Sequence, residues 1–114
     1  MAHNLYLVFS KPPAGVSAEE FGRWYADHAQ ENIESPRFVS AQRYDVRRIV
    51  AGVEDPSHEH LAAYEYDGTY DEWRDHLSGR LKAGEVVLPE WFPQIPFESF
   101  DCRPAGGRLT PQGR

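Results

Sequence analysis

The chain carries a single cysteine, Cys102, among 114 residues. That excludes a disulfide within one chain and any all-cysteine metal site. It also lacks a long apolar run. The first residues pass directly into Leu5-Tyr6-Leu7-Val8-Phe9 with no basic segment before them and no extended hydrophobic stretch after. This predicts neither a secretory signal nor a transmembrane helix, and so a cytoplasmic protein that makes no use of a membrane. Basic charge is scarce as well: the formal net charge is −6 and the pI is about 5.3. Arg43, Arg47 and Arg48 lie close together, but Asp45 sits between them on a predicted strand. A solvated strand edge explains that cluster, and nucleic acid is rejected as a partner because its footprint needs a basic excess. No G-x-G-x-x-G occurs, which removes flavin or nicotinamide binding through a glycine-rich turn. Internal repeats and low-complexity blocks are absent too.

What remains is one domain's worth of chain, enough for one hydrophobic core. Aromatics are generous, with three Trp, six Tyr and six Phe. Such a set suits a small-molecule pocket and equally suits a packed core.

The order of elements follows from periodicity and punctuation. Leu5 to Ser10 reads as a buried strand closed by the turn Lys11-Pro-Pro-Ala-Gly15. Ser17 with Glu20 forms a capping box that opens a helix over about Ala18 to Ile33, and Pro36 prevents its extension. Phe38 to Ile49 is a long strand with Phe38, Ser40, Gln42, Tyr44 and Val46 on one face and Val39, Ala41, Arg43 and Asp45 on the other. A polar loop is expected over Ala51 to Ser57. His60 to Tyr66 forms a third strand, ended by Asp67-Gly68. Thr69 with Glu72 is a second capping box, opening a helix through Lys82 whose inward stripe holds Trp73, Leu77 and Arg80, with His76 on one flank. Gly84 closes it. Glu85 to Pro96 is an irregular connection containing Trp91 and Phe92, and Phe97 to Arg103 is the last strand. Residues 1–103 make one domain and 104–114 a loose tail or an arm that clasps a partner.

The resulting β-α-β-β-α-β order is the ferredoxin-like α+β arrangement, four antiparallel strands with both helices on one face. Apolar and aromatic residues occur on both faces of the strands, so the second face needs a cover. Another copy of the same sheet, in a symmetric homodimer, is the simplest one.

One pattern points to chemistry. Phe21, Trp24, Tyr25 and His28 follow the spacing i, i+3, i+4, i+7 and share the stripe that faces the core. An imidazole there is either a satisfied core residue or an acid/base held in a pocket. Desolvation among aromatics keeps it neutral and available near pH 7. His28 is the first candidate general acid/base.

The stretches Leu5-Tyr-Leu-Val-Phe9, Phe21-Gly-Arg-Trp24-Tyr25-Ala-Asp-His28 and Ser35-Pro-Arg-Phe38-Val-Ser-Ala-Gln-Arg-Tyr44 resemble the dimeric α+β barrel superfamily, and within it the EthD-like proteins. The resemblance spans roughly residues 4 to 103. It implies a ferredoxin-like homodimer and a range of activities: cofactor-free monooxygenases, aromatic polyketide cyclases, muconolactone isomerases and haem-dependent enzymes. The run His28-Ala-Gln-Glu31 lacks a proline that EthD-like relatives often carry, and His76-Leu-Ser-Gly-Arg80 keeps only the first imidazole of a pattern found in some small cyclases.

Around His28, Tyr44 and Tyr64 are expected to supply hydroxyls that orient a carbonyl or phenolate, and Tyr6 a third. Trp24, Tyr25, Trp73, His76 and Trp91 are expected to shape a substrate pocket. Arg80 interrupts an apolar stripe and needs a partner, such as Glu65, Asp101 or a substrate carboxylate, unless it snorkels past the helix edge. His58, Glu59 and His60 have no evident third ligand, so no metal is expected. Cys102 reads as inert packing. A haem held by His28 or His76 is a lesser alternative.

The expectation is therefore a cofactor-independent enzyme moving a proton on an aromatic, polyketide-like or otherwise apolar carbonyl or phenolic compound. Cyclase, isomerase, lyase and monooxygenase chemistry all fit. A non-catalytic metabolite-binding dimer is the alternative. A purely structural dimer, the third reading, predicts no cavity of roughly 300 Å³ or more.

Overall fold

The structure, a computed structural model, describes residues 3–50 and 53–113, with side chains for all of these except 48–50 and 53–59. The elements are β1 (Asn4–Ser10), α1 (Ala18–Ile33), β2 (Phe38–Val50), β3 (Val53–Tyr66), α2 (Tyr70–Lys82), a short 3₁₀ turn (Phe92–Gln94) and β4 (Phe97–Cys102). They form one antiparallel sheet in the order β2-β3-β1-β4, the ferredoxin-like α+β arrangement.

Both helices begin where their caps dictate. The Ser17 hydroxyl accepts the Glu20 N–H, while Thr69 and Glu72 satisfy each other's backbone N–H groups in a full capping box. Gly84, at φ +75°, supplies the left-handed residue that ends the segment after α2. The core between helices and sheet is Val8, Phe21, Tyr25, Ala29, Ala62, Tyr64 and Ile95.

Strand β2 departs from its expected facing. Phe38 pairs with Tyr66 and Ser40 with Glu65, so two steps on β2 match one on β3 and Val39 is an extra residue, a β-bulge. Because side chains alternate with period two, one inserted residue moves everything after it to the other face. Phe38 stays under the helices, packing on Tyr64 and Trp73. Ala41 and Arg43 now join it there, opposite Tyr64 and Ala62, and Tyr44 turns to the uncovered face. Arg43 is accordingly no solvated edge residue: it lies 5.2 Å from the Tyr25 ring centre and donates to the Gly22 carbonyl at 3.0 Å.

The expected loop over Ala51 to Ser57 is also corrected. Residues 51–52 lie outside the described ones, and from Val53 onward the backbone is strand. Arg47 pairs with His58 but Ile49 with Glu54, so Pro56 falls inside a second register irregularity. There its missing N–H costs no ladder bond, which is how a strand tolerates proline.

The face away from the helices carries Leu5, Leu7 and Phe9 of β1, Leu61 and Ala63 of β3, and Phe100 of β4, with Tyr44 51% and Phe100 45% exposed. Beyond His60 the β2–β3 ribbon runs on without β1 beside it. Residues 104–113 have no regular secondary structure and lie exposed. The radius of gyration is 16.2 Å, against about 13 Å for a compact chain of this length. No helix among the described residues is long and apolar enough to cross a membrane.

Candidate functional site

Two turns of α1 present His28 and Asn32 on adjacent rungs, four residues apart, beside the buried stripe Phe21, Tyr25, Ala29 and Asn32. Trp24 stacks on the His28 ring at 4.7 Å between centres and 19° between planes. Tyr25 and Phe92 close round it at 5.9 and 6.0 Å. This setting strips water from the imidazolium and lowers the pKa of His28 from 6.5 to about 4. The ring is neutral at pH 7.

Its protonation pattern follows from Asn32. The Asn32 side-chain amide Nδ2 lies 3.2 Å from the Tyr64 hydroxyl, to which it donates, and 3.3 Å from His28 Nε2. A nitrogen that accepts an amide N–H carries a lone pair, so the proton of neutral His28 sits on Nδ1. Nδ1 itself is buried without a partner, as are Asn32 Oδ1 and Trp73 Nε1. Buried polar atoms of this kind are rare and cost about 1–3 kcal/mol each, and these three belong to residues that line one cavity.

That cavity measures about 220 Å³, under the roughly 300 Å³ at which ligand sites begin, so by volume alone it meets what a purely structural dimer predicts. Its walls come from every layer of the fold: Tyr6 and Val8 from β1, Tyr25, His28 and Asn32 from α1, Tyr64 from β3, Trp73 and Leu77 from α2, Phe92 and Phe97 from the connection and the start of β4, and Ser99 from β4. Burial raises the phenol pKa of Tyr64, Tyr6 and Tyr25, with Tyr25 carried furthest and further raised by Tyr64. All three are therefore neutral O–H groups at pH 7, able to donate. Two larger hollows, of about 330 Å³ near Phe9, Lys11 and Glu98 and about 570 Å³ near Leu5, Glu65, Cys102 and Arg108, bring together no buried acid/base.

The structure thus joins His28, Tyr64, Tyr6, Tyr25 and Trp73 of the expected residues. Trp24 stands behind His28, and Trp91 packs on Trp24 at 5.0 Å rather than on the cavity. Three expectations are corrected. Tyr44 faces away, for the reason the Val39 bulge supplies. His76 is exposed on the outer side of α2. Arg80 is engaged elsewhere: it donates to the Glu31 carbonyl and the Ser35 hydroxyl, both at 2.8 Å, and pairs with Glu85 at 3.4 Å. A cation placed on the last carbonyls of α1 answers the negative end of that helix, a structural role. Asn32 escaped sequence reading altogether. The available signal was its position, on the buried stripe and one turn beyond His28, where an amide is uncommon.

No metal-holding group of three or more His, Cys, Asp or Glu occurs among the described residues, and the side chains of His58 and Glu59 lie outside them.

No family model matches the chain, and no curated protein does. Among solved structures, a protein of Shewanella loihica PV-4 provisionally described as a monooxygenase aligns with 94% of this chain and 99% of its own, at a TM-score of 0.49 and 16% identity. A likeness that distant carries no argument about activity.

Proposed function

We propose that this chain is a small enzyme that moves a proton on a neutral aromatic or apolar carbonyl or phenolic compound, with His28 as the acid/base. One observation carries the reading: a desolvated, neutral imidazole with its lone pair on Nε2 and a phenol O–H tied to it through Asn32, both on one aromatic cavity. In the proposed step, Nε2 takes the proton from carbon next to the carbonyl, displacing the long Asn32 contact. The bonding pair moves to the carbonyl oxygen, and Tyr64 donates a hydrogen bond to the oxyanion that forms. A conjugate acid near 4 makes His28 a weak base toward a neutral molecule. As negative charge grows beside the ring, the imidazolium is stabilised and the transfer becomes favourable. Cyclisation, isomerisation, lyase chemistry and cofactor-free oxygenation all begin with this step.

The test is hydrogen exchange at the carbon next to the carbonyl of 2-tetralone in D2O, followed by NMR. Wild-type protein should accelerate exchange and His28→Ala should not. Equal rates for the two would remove His28 as the working group. The weakness of the base also favours a second reading, a pocket protein that binds such compounds without turning them over. Tight binding of 2-tetralone with no accelerated exchange would select it.

We further propose a homodimer of the α+β barrel kind through the bare sheet face, since Leu7, Phe9, Leu61 and Phe100 form a continuous apolar surface there. Phe100→Glu should turn a dimer into a monomer in sedimentation equilibrium. A wild-type monomer at micromolar concentration would remove that part.

A further inference from the structure

The chemistry and the volume of the His28 cavity say which molecules it takes. We infer that it selects an uncharged compound of one or two fused rings carrying at least one hydroxyl or carbonyl oxygen, and rejects both carboxylates and larger ring systems. The inference rests on the His28 cavity being the ligand site and narrows its substrate class.

Charge decides first. None of the residues lining the cavity is Asp, Glu, Lys or Arg. The two guanidiniums nearby are committed, Arg43 to the Gly22 carbonyl and the Tyr25 ring, Arg80 to the end of α1. A carboxylate entering here would lose its water and find no cation among the lining side chains, so it should bind more weakly than its neutral counterpart.

Volume decides next. A dry apolar cavity of about 150 Å³ is known to hold benzene. The 220 Å³ here leaves room for a second ring fused to the first and not for a third. Its aromatic walls offer faces and edges to such a flat body: Tyr6 and Trp73 lie 4.7 Å apart, and Tyr6 and Tyr64 stack at 6.1 Å.

Polar placement decides the substituent. Asn32, His28 and Tyr64 form one hydrogen-bonding point, and Ser99 bonded to Tyr6 forms another on β4. A hydroxyl or carbonyl oxygen meets donors and acceptors at either, whereas a bare hydrocarbon leaves them unmatched.

Titration calorimetry with four probes tests this. 2-Naphthol should bind. Naphthalene should bind about tenfold more weakly for want of one hydrogen bond. 2-Naphthoate, the same skeleton as an anion, and 2-hydroxyanthracene, one ring longer, should each lose at least about tenfold. Leu77→Ala, which opens the α2 wall, should recover 2-hydroxyanthracene binding while leaving 2-naphthoate weak. Equal affinity for the anion, equal affinity of unmodified protein for the three-ring phenol, or no binding of 2-naphthol would each overturn the inference. Selective 2-naphthol binding with no 2-tetralone exchange keeps the inference and removes the catalytic reading. Exchange together with tight 2-naphthoate binding does the reverse.

Discussion

Acid should destabilise this protein partly through one side chain. In the unfolded chain His28 takes a proton near pH 6.5; in the folded protein, stacked on Trp24 and shut off from water, it waits until about pH 4. Between those values the unfolded state binds more protons, so stability falls as pH falls. Above 6.5 both states are neutral at this ring and the penalty is absent; below about 4 both are charged and it is complete. Each unit of separation is worth about 1.36 kcal/mol. Going from pH 7 to pH 4.5 covers most of the window and should remove about 2 kcal/mol through His28 alone. That is a large fraction of a typical domain's 5–15 kcal/mol or so. The measurement is urea unfolding at both pH values for the wild type and for His28→Phe, which keeps a flat ring against Trp24 and does not titrate. Carboxylates and the other histidines are common to both proteins, so their effect cancels in the comparison. The variant should lose about 2 kcal/mol less than the wild type over this range. Parallel losses, within about 0.5 kcal/mol, would mean that the imidazole is solvated when folded, and the picture of a desolvated neutral base would fall.

Other consequences are as direct. The free-enzyme pKa of about 4 should appear as the acidic limb of kcat/KM, so exchange catalysis should hold from pH 7 to pH 5 and fall below, as initial rates would show. Asn32→Asp sets a carboxylate beside Nε2 and should raise the His28 pKa well above 4, read by NMR titration of the ring; an unmoved pKa would refute the Asn32–His28 contact. Tyr64→Phe should slow exchange about tenfold to a hundredfold, while Tyr44→Phe, on the other side of the sheet, should leave it unchanged. Arg80→Met should cost about 1–3 kcal/mol in thermal or urea unfolding by stranding the Glu31 carbonyl and Ser35, with 2-naphthol affinity intact.

Much of this architecture is legible in local chemistry. The Ser17 cap, half of the expected box, and the full box at Thr69–Glu72 place both helices, and the apolar alternation His60 to Tyr66 places the buried side of β3, because each is a short-range signal acting within four residues. His28 could be found for the same reason: a helix stripe has a fixed period. What a one-dimensional reading misses is set by contacts between distant segments. Arg80 looks like an anomaly on its own helix and makes sense only against the end of α1, 49 positions away in sequence from Glu31. Asn32 gains its meaning from Tyr64 on β3. Tyr44 is misassigned because the bulge at Val39 is defined by a mismatch with the partner strand, and no residue type at 38–40 announces it.

That bulge separates the length of β2 from its phase. Phe38 and Arg43 are five positions apart, an odd separation that strict alternation would put on opposite sides, yet both look toward the helices because Val39 is passed over. Removing Val39 would leave Phe38, Ser40 and Ala41 in unbroken step with Tyr66, Glu65 and Tyr64, and Arg43 and Tyr44 would keep their sides. The chain can therefore lose one residue here as a silent deletion, with no guanidinium or phenol changing surfaces.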